Sequence, residues 1–111
     1  MDRDLQAKIE AAFDNLINAR KRLLEDKEAT LGAKEELKDQ ESALISSGDY
    51  TASGKNEKER EAWLRYKTEN RRSELAVTER DERVSALALE YALDARRNLE
   101  SMLRIEELGA V

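Results

Sequence analysis

The fold is decided at residues 46–56, which read SSGDYTASGKN and hold two of the four glycines of this 111-residue chain. Gly48 suits the left-handed backbone conformation that closes a helix, because glycine has no Cβ to clash. Asn56 marks the start of the next helix, since its side chain can accept a backbone N–H of the first turn. Glu59, three residues on, can reach back to that cap. We therefore predict a turn over about residues 47–56, with one helix on each side of it.

The segment before the turn has the periodicity of an amphipathic helix. Positions seven residues apart are apolar except for one threonine, and they are Ile9, Leu16, Leu23, Thr30, Leu37 and Leu44. A neighbouring position, also spaced by sevens, holds Ile17, Leu24, Leu31 and Ile45. Together these residues predict one broad apolar stripe on a helix over about residues 4–46. Small residues beside the stripe, such as Ala12 and Ala19, would let a neighbouring helix approach closely.

The segment after the turn predicts a second helix, uninterrupted over about residues 57–108. Its apolar residues at multiples of seven are Trp63, Val77, Val84, Tyr91 and Ile105. If the chain reverses at the turn, antiparallel pairing sets Leu16 near Tyr91 and Leu23 near Val84. The predicted fold is all-α, with a single domain over residues 1–111 in which two long helices form an antiparallel, coiled-coil-like hairpin.

The second helix has more apolar surface than one hairpin can bury. Residues 84–95 are apolar almost all the way round the helix, and such a helix is usually buried on most sides. A second stripe, off the first one, consists of Leu75, Leu89, Leu93 and Leu103. We predict self-association through these leucines, as a homodimer that packs into a four-helix assembly. The alternative is that they contact a curving first helix of the same chain.

The composition argues against most catalytic and metal-binding classes. The chain has no cysteine, histidine or proline, 41% of its residues are charged, and its net charge is −5. Without cysteine and histidine there is no thiol nucleophile, no thiolate zinc site and no imidazole base. Residues 48–55 read G-x5-G-K, which is one residue too long for a phosphate-binding loop. We therefore expect no enzymatic activity, no cofactor and no metal.

The expected location is the cytoplasm. No apolar run approaches the roughly 18–20 residues that span a bilayer. The first four residues, MDRD, lack the apolar core of a secretory signal. We expect no membrane partner.

Charge is distributed unevenly along the chain. Residues 55–72 contain seven basic and four acidic residues, so this segment carries +3 and the rest of the chain carries −8. Basic and aromatic side chains together favour protein interfaces, and they also suit a phosphate backbone with stacked bases. A solvated helix face or a core position is the third interpretation. The candidate partner-binding residues are Tyr50, Lys55, Lys58, Arg65, Tyr66, Lys67, Arg71 and Arg72.

One local pattern is similar to a known group of proteins. Residues 54–61 read GKNEKERE, which resembles small helical-hairpin accessory proteins of bacteriophages and prophages, where G-K-N-x-x-x-R starts the second helix. The shared positions are Gly54, Lys55, Asn56 and Arg60. The resemblance implies a viral or prophage accessory protein in the host cytoplasm, and it carries over no catalytic residue.

The leading functional hypothesis is a non-enzymatic protein-interaction module. With the resemblance, it becomes an accessory or inhibitor protein that binds a larger nucleic-acid-processing protein complex. The alternative is a DNA- or RNA-binding accessory that uses the basic, aromatic tip of the hairpin. A salt titration separates the two, because binding through phosphates weakens steeply as salt rises.

Overall fold

The computed structural model describes residues 3–109. They form four helices, α1 (Arg3–Ser46), α2 (Asp49–Ala52), α3 (Glu57–Lys67) and α4 (Glu69–Gly109), and the described residues include no strand. Helix α1 packs against α4 in an all-α antiparallel hairpin, which confirms the predicted fold class.

Contacts divide the chain into two compact units. The terminal unit combines the chain up to Glu25 with the chain from Glu82 onward, and the turn unit is Asp26–Asp81. That the whole chain is a single domain stays a prediction.

The terminal unit closes on apolar and small side chains. Its buried residues are Leu5, Ala12 and Leu16 from α1 and Ser85 from α4, and Leu16 is only 1% exposed. This confirms the prediction that the apolar residues spaced by sevens from Ile9 face the core, and Ile9 and Leu23 are half-buried as well. The neighbouring position is different, because Ile17 is 47% exposed and Leu24 is 60% exposed. The seam on α1 is therefore narrower than the predicted broad stripe.

The predicted seam of the second helix is wrong over α4, whereas Trp63, its member on α3, is half-buried. Val84, Tyr91 and Ile105 are 54%, 74% and 70% exposed, and Val77 in the turn unit is 59% exposed. The half-buried side is instead the leucine stripe, which consists of Leu75, Leu89, Leu93 and Leu103. The physical reason is packing distance: Ser85 and Ala92 lie among these leucines and allow a close approach that bulky Tyr91 would prevent.

The turn unit buries polar residues instead. Thr30 is 4% exposed and Thr68 is 0% exposed, and no hydrophobic residue among the described part of this unit is buried. Thr68 also ends α3, so the predicted uninterrupted second helix is wrong at this point. Its Oγ1 donates to the carbonyl oxygen of Leu64 at 2.8 Å. A threonine hydroxyl that competes for the helix carbonyls in this way bends or interrupts the helix.

The turn itself follows its sequence signals. Gly48 adopts φ 85°, as predicted for the residue that closes the first helix. Asn56 Oδ1 accepts the Glu59 N–H at 2.9 Å, which confirms the predicted cap. The Glu59 side chain is expected to accept the N–H of the cap residue Asn56. Its Oε2 instead accepts the N–H of Lys55, one residue earlier, at 2.8 Å. A short helix, α2, occupies part of the predicted turn.

Candidate functional site

The structure places four of the eight candidate partner-binding residues on the exposed surface of α3. They are Lys58, Arg65, Tyr66 and Lys67, and we refer to them as the α3 patch. Tyr66 is 72% exposed. Lys58 and Arg65 are seven residues apart, so they lie on one face of the helix.

The α3 patch continues into an aromatic contact and a shallow hollow. The Lys67 ammonium lies 6.0 Å from the centre of the Trp63 ring, and Trp63 is half-buried. An open hollow beside it, of about 280 Å³, is lined by Tyr66, Lys67, Glu69 and Asn70. A cation held over an indole ring at an exposed site gains about 0.5–1 kcal/mol. Tyr66 is flanked in sequence by Arg65 and Lys67, and residues two positions apart point about 200° apart on a helix. Lys58 and Arg65 therefore lie on one side of Tyr66, and Lys67 lies on the other side with Trp63.

Arg71, another candidate, is engaged within the chain. Its Nη1 lies 2.7 Å from Glu36 Oε2 on α1 and 3.3 Å from Glu74 Oε2 on α4. These side chains are about half exposed, so the pairs are solvated and contribute little stability each. A partner that used Arg71 would have to compete with both carboxylates.

Arg72 is held still more firmly. Its Nη2 lies 3.0 Å from Glu41 Oε1, and its Nε donates to Thr68 Oγ1 at 2.9 Å. Beside it, Gln40 Nε2 donates to the Lys67 carbonyl at 3.4 Å. Glu41, Arg72, Thr68 and the Leu64 carbonyl thus form one continuous hydrogen-bonded chain. The geometry gives Arg72 a structural role at the junction of α3 and α4.

The remaining two candidates lie before α3. Tyr50 is half-buried in α2, and its carbonyl oxygen accepts the Ser53 hydroxyl at 2.6 Å. Lys55 is exposed, but its backbone N–H is held by Glu59. Neither belongs to the α3 patch.

The residues of the G-K-N-x-x-x-R stretch have local structural roles. A Cβ on Gly54 would lie 2.6 Å from the Cβ of Glu59, so only glycine fits there. Asn56 caps α3, and Arg60 Nε donates to the Gly54 carbonyl at 3.2 Å. The motif is accounted for by the geometry of this turn.

Folding changes the electrostatic setting of the basic segment. Residues 55–72 carry +3, but the whole turn unit, Asp26–Asp81, carries 11 basic and 14 acidic residues and therefore −3. Helix α1 supplies part of this difference through Glu36 and Glu41, which pair with Arg71 and Arg72. Sequence reasoning missed this, because the acidic and basic residues are more than 30 positions apart.

The leucines predicted for self-association are half-buried within the single chain. The prediction places Leu75, Leu89, Leu93 and Leu103 on a second surface because it takes Val84 and Tyr91 as the seam, and the exposure of Val84 and Tyr91 removes that reason. Homodimer formation itself stays a prediction. The exposed apolar side of α4 is the one that carries Val84, Leu87 and Tyr91.

Two open grooves flank the seam of the terminal unit. One, of about 460 Å³, is lined in part by Ile9, Phe13 and Arg96, and the Arg96 guanidinium lies 5.8 Å from the centre of the Phe13 ring. The other, of about 420 Å³, has a floor of small residues that includes Ala11, Ala92 and Ala95. The second groove adjoins the exposed apolar side of α4.

No protein-family model, curated protein or solved structure matches this chain. Among residues 3–109, no group of three or more histidine, cysteine, aspartate or glutamate side chains is arranged to hold a metal ion. None of the helices, over the same residues, combines the length and apolar character that crossing a membrane requires.

Proposed function

We propose that this protein is a non-enzymatic interaction module that binds a protein partner through the α3 patch. The observation that carries the proposal is the 72% exposure of Tyr66, which two exposed cations, Arg65 and Lys67, flank in sequence on α3. Tyrosine and arginine are the side chains that most often anchor protein interfaces. An ordered helix that presents them loses little conformational freedom on binding.

The same observations favour an acidic protein surface as the partner. Basic side chains at the rim of an interface select a complementary negative potential and speed association. Direct nucleic-acid binding has less support, because Arg71 and Arg72 are paired with carboxylates and so leave fewer free cations. Such binding depends on neutralising several phosphates at once.

The resemblance at residues 54–61 supports a narrower form of the proposal. In it, the protein is a bacteriophage or prophage accessory or inhibitor protein. It acts in the host cytoplasm on a larger nucleic-acid-processing protein complex.

Photo-crosslinking tests the partner directly. Tyr66 is replaced by p-benzoylphenylalanine, the protein is irradiated in lysate of the cell that produces it, and products are identified by mass spectrometry. The matched control carries the same group in place of Leu24, which is 60% exposed on α1 and lies in neither proposed interface. We expect a protein adduct at position 66 that survives nuclease treatment and is absent at position 24. Loss of every adduct on nuclease treatment would contradict the proposal.

Charge reversal then tests the chemistry of the α3 patch. Arg65→Glu with Lys67→Glu should weaken the captured complex at least about tenfold, since opposite charges become like charges. Lys27→Glu with Lys34→Glu makes the same net change on exposed positions of α1 and should leave the complex intact. Wild-type binding to a DNA or RNA oligonucleotide that is lost in the patch variant and falls steeply with salt would replace the proposal by its alternative.

A further inference from the structure

Helix α4 carries an exposed apolar stripe within the terminal unit. We call it the outer stripe, and it consists of Val84, Leu87, Tyr91, Ala95, Met102 and Ile105. Tyr91 and Ile105 are 74% and 70% exposed, and each of the other three large side chains is at least 51% exposed. The residues are spaced by three, four or seven positions, so they form one continuous face of the helix.

The exposed area of the outer stripe can be compared with the area of a protein interface. With about 90–190 Å² exposed on each large side chain, the outer stripe offers roughly 600 Å² per copy. Two such stripes together would bury at most about 1,200 Å², which reaches the lower end of a standard protein interface.

The outer stripe reads almost the same in both directions. Val84 and Ile105 lie equally far from the midpoint between Asp94 and Ala95, and so do Leu87 and Met102. Two copies of α4 that run antiparallel through this midpoint would therefore place valine against isoleucine and leucine against methionine. A symmetric dimer needs such a self-complementary surface, because each residue meets its counterpart twice.

Polar residues beside the stripe fit the same arrangement. Tyr91 and exposed Asn98 are equidistant from the midpoint, so the phenol of one copy would meet the carboxamide of the other. Along one edge of the stripe, Glu90 and Asp94 of one copy would lie beside Arg97 of the other. Arg97 and Asp94 form an ion pair at 3.7 Å within the chain, but they are 74% and 67% exposed, so both are accessible to a second copy.

The groove of about 420 Å³ beside α4, whose floor consists of small residues, supplies the space that a close helix pair needs. Ala95 lies at the centre of the stripe, and with Ala11 and Ala92 it lines the open groove of about 420 Å³. Small residues at a helix crossing let two backbones approach closely. Asn98 also lines this groove, so the Tyr91 ring of a second copy would seat at its edge.

We propose that two copies of this chain associate antiparallel through the outer stripe of α4, centred on Ala95. The occupant of this face is a second copy, and the interface is independent of the α3 patch. It replaces the leucine stripe as the surface for self-association.

Disulfide trapping tests the geometry, because the natural chain has no cysteine. Ala95→Cys places two thiols next to each other across the dimer axis, within the separation that a disulfide bridges. Ala88→Cys is the matched control, because its two thiols would be about 20 Å apart along an antiparallel helix pair. We expect mild oxidation to give a covalent dimer at position 95 and not at position 88. Equal crosslinking at both positions would show a parallel pair and overturn the proposal.

The oligomeric state tests the same surface without crosslinking. Light scattering over a range of concentrations should show a dimer for the wild type, and Leu87→Glu with Tyr91→Glu should raise the dissociation constant at least 100-fold. Ile17→Glu with Leu24→Glu introduces the same charges on exposed apolar positions of α1 and should leave the dimer unchanged. Circular dichroism confirms that each variant is helical. A wild type that stays monomeric at every concentration would overturn the proposal.

Discussion

The two units of the hairpin are closed by different kinds of interaction. The terminal unit buries Leu5, Ala12 and Leu16, whereas the turn unit buries Thr30 and Thr68. Removal of apolar surface from water stabilises the first. Hydrogen bonds and partly exposed ion pairs define the second, and each of these contributes only about 1 kcal/mol or less to the net stability. Core packing should therefore decide the stability of the terminal unit, and backbone geometry that of the turn unit.

The two units also expose different kinds of surface. In the turn unit, ion pairs hold Arg71 and Arg72 in place and leave Tyr66 and its neighbours exposed on α3. In the terminal unit, the leucine side of α4 is half-buried and the outer stripe is exposed. One unit thus presents a charged, aromatic patch, and the other presents an apolar one.

The largest effect is expected from the core of the terminal unit. Leu16→Ala should lower the free energy of unfolding by about 2–4 kcal/mol, because it removes buried apolar volume and leaves a cavity. Urea denaturation followed by circular dichroism at a fixed protein concentration measures the change. Leu24→Ala, at a 60% exposed position of the same helix, is the control and should cost less than about 1 kcal/mol. Equal losses would contradict the buried seam.

The next largest effect is expected from the turn. Gly54→Ala should destabilise the protein by about 1–3 kcal/mol, since the added Cβ would lie 2.6 Å from the Cβ of Glu59. Gly32→Ala makes the same change inside α1, where an added Cβ meets nothing within 4 Å. That control should instead stabilise the protein by up to about 1 kcal/mol. Thermal melts of the two variants should therefore shift in opposite directions, and shifts of the same sign would count against the turn geometry.

A smaller effect is expected at the break between α3 and α4. Thr68→Val removes a buried hydroxyl that donates to Leu64 and accepts from Arg72, so we expect a loss of about 1–2 kcal/mol. Thr78→Val removes a hydroxyl that donates to the Leu75 carbonyl at a half-buried site and should cost less. Chemical denaturation of both variants gives the comparison. A larger loss of stability for the Thr78 variant than for the Thr68 variant would mean that the hydrogen bonds of Thr68 are not what stabilises the turn unit.

The smallest effect is expected from the exposed ion pair of Arg71. Glu36→Gln should change the free energy of unfolding by less than about 0.5–1 kcal/mol, because solvent and side-chain entropy offset the attraction. The difference should shrink further at 1 M salt, where screening acts over about 3 Å. Glu35→Gln, the same change one residue earlier, is the reference. A large, salt-independent loss would mean that charge pairs stabilise this unit as strongly as apolar burial stabilises the other.

Much of this fold follows from the sequence. Gly48 and Asn56 predict the turn correctly because few other residues can take their roles. Gly48 adopts a positive φ, and the Asn56 side chain caps α3. The burial of Leu16 between half-buried Ile9 and Leu23 is also predicted correctly. The sequence does not separate that position from neighbouring Ile17 and Leu24, which are apolar but exposed.

The second helix shows where such reasoning fails. Two apolar stripes share α4, and a count of sevens ranks the one with Val84 and Tyr91 as highly as the leucine stripe. Which stripe packs against α1 depends on small residues such as Ser85, which let the two helices come close. How closely they pack depends on both helices and cannot be read from the sequence of one of them. The break at Thr68 depends on a hydroxyl and on Arg72, and the loss of two candidate arginines depends on carboxylates far away in sequence. No local pattern contains that information.

Helix α4 turns its leucine side inward and leaves the outer stripe exposed, and thiol accessibility tests this most directly. Ser85→Cys and Tyr91→Cys are introduced singly into the cysteine-free chain, and their reaction with a maleimide is followed at rising protein concentrations. We predict that the thiol at position 85 reacts at least about 100-fold more slowly at every concentration, because it must wait for local opening. The thiol at position 91 should react fast in dilute solution and become protected as copies associate. Fast reaction at position 85 with protection at position 91 in dilute solution would contradict the account.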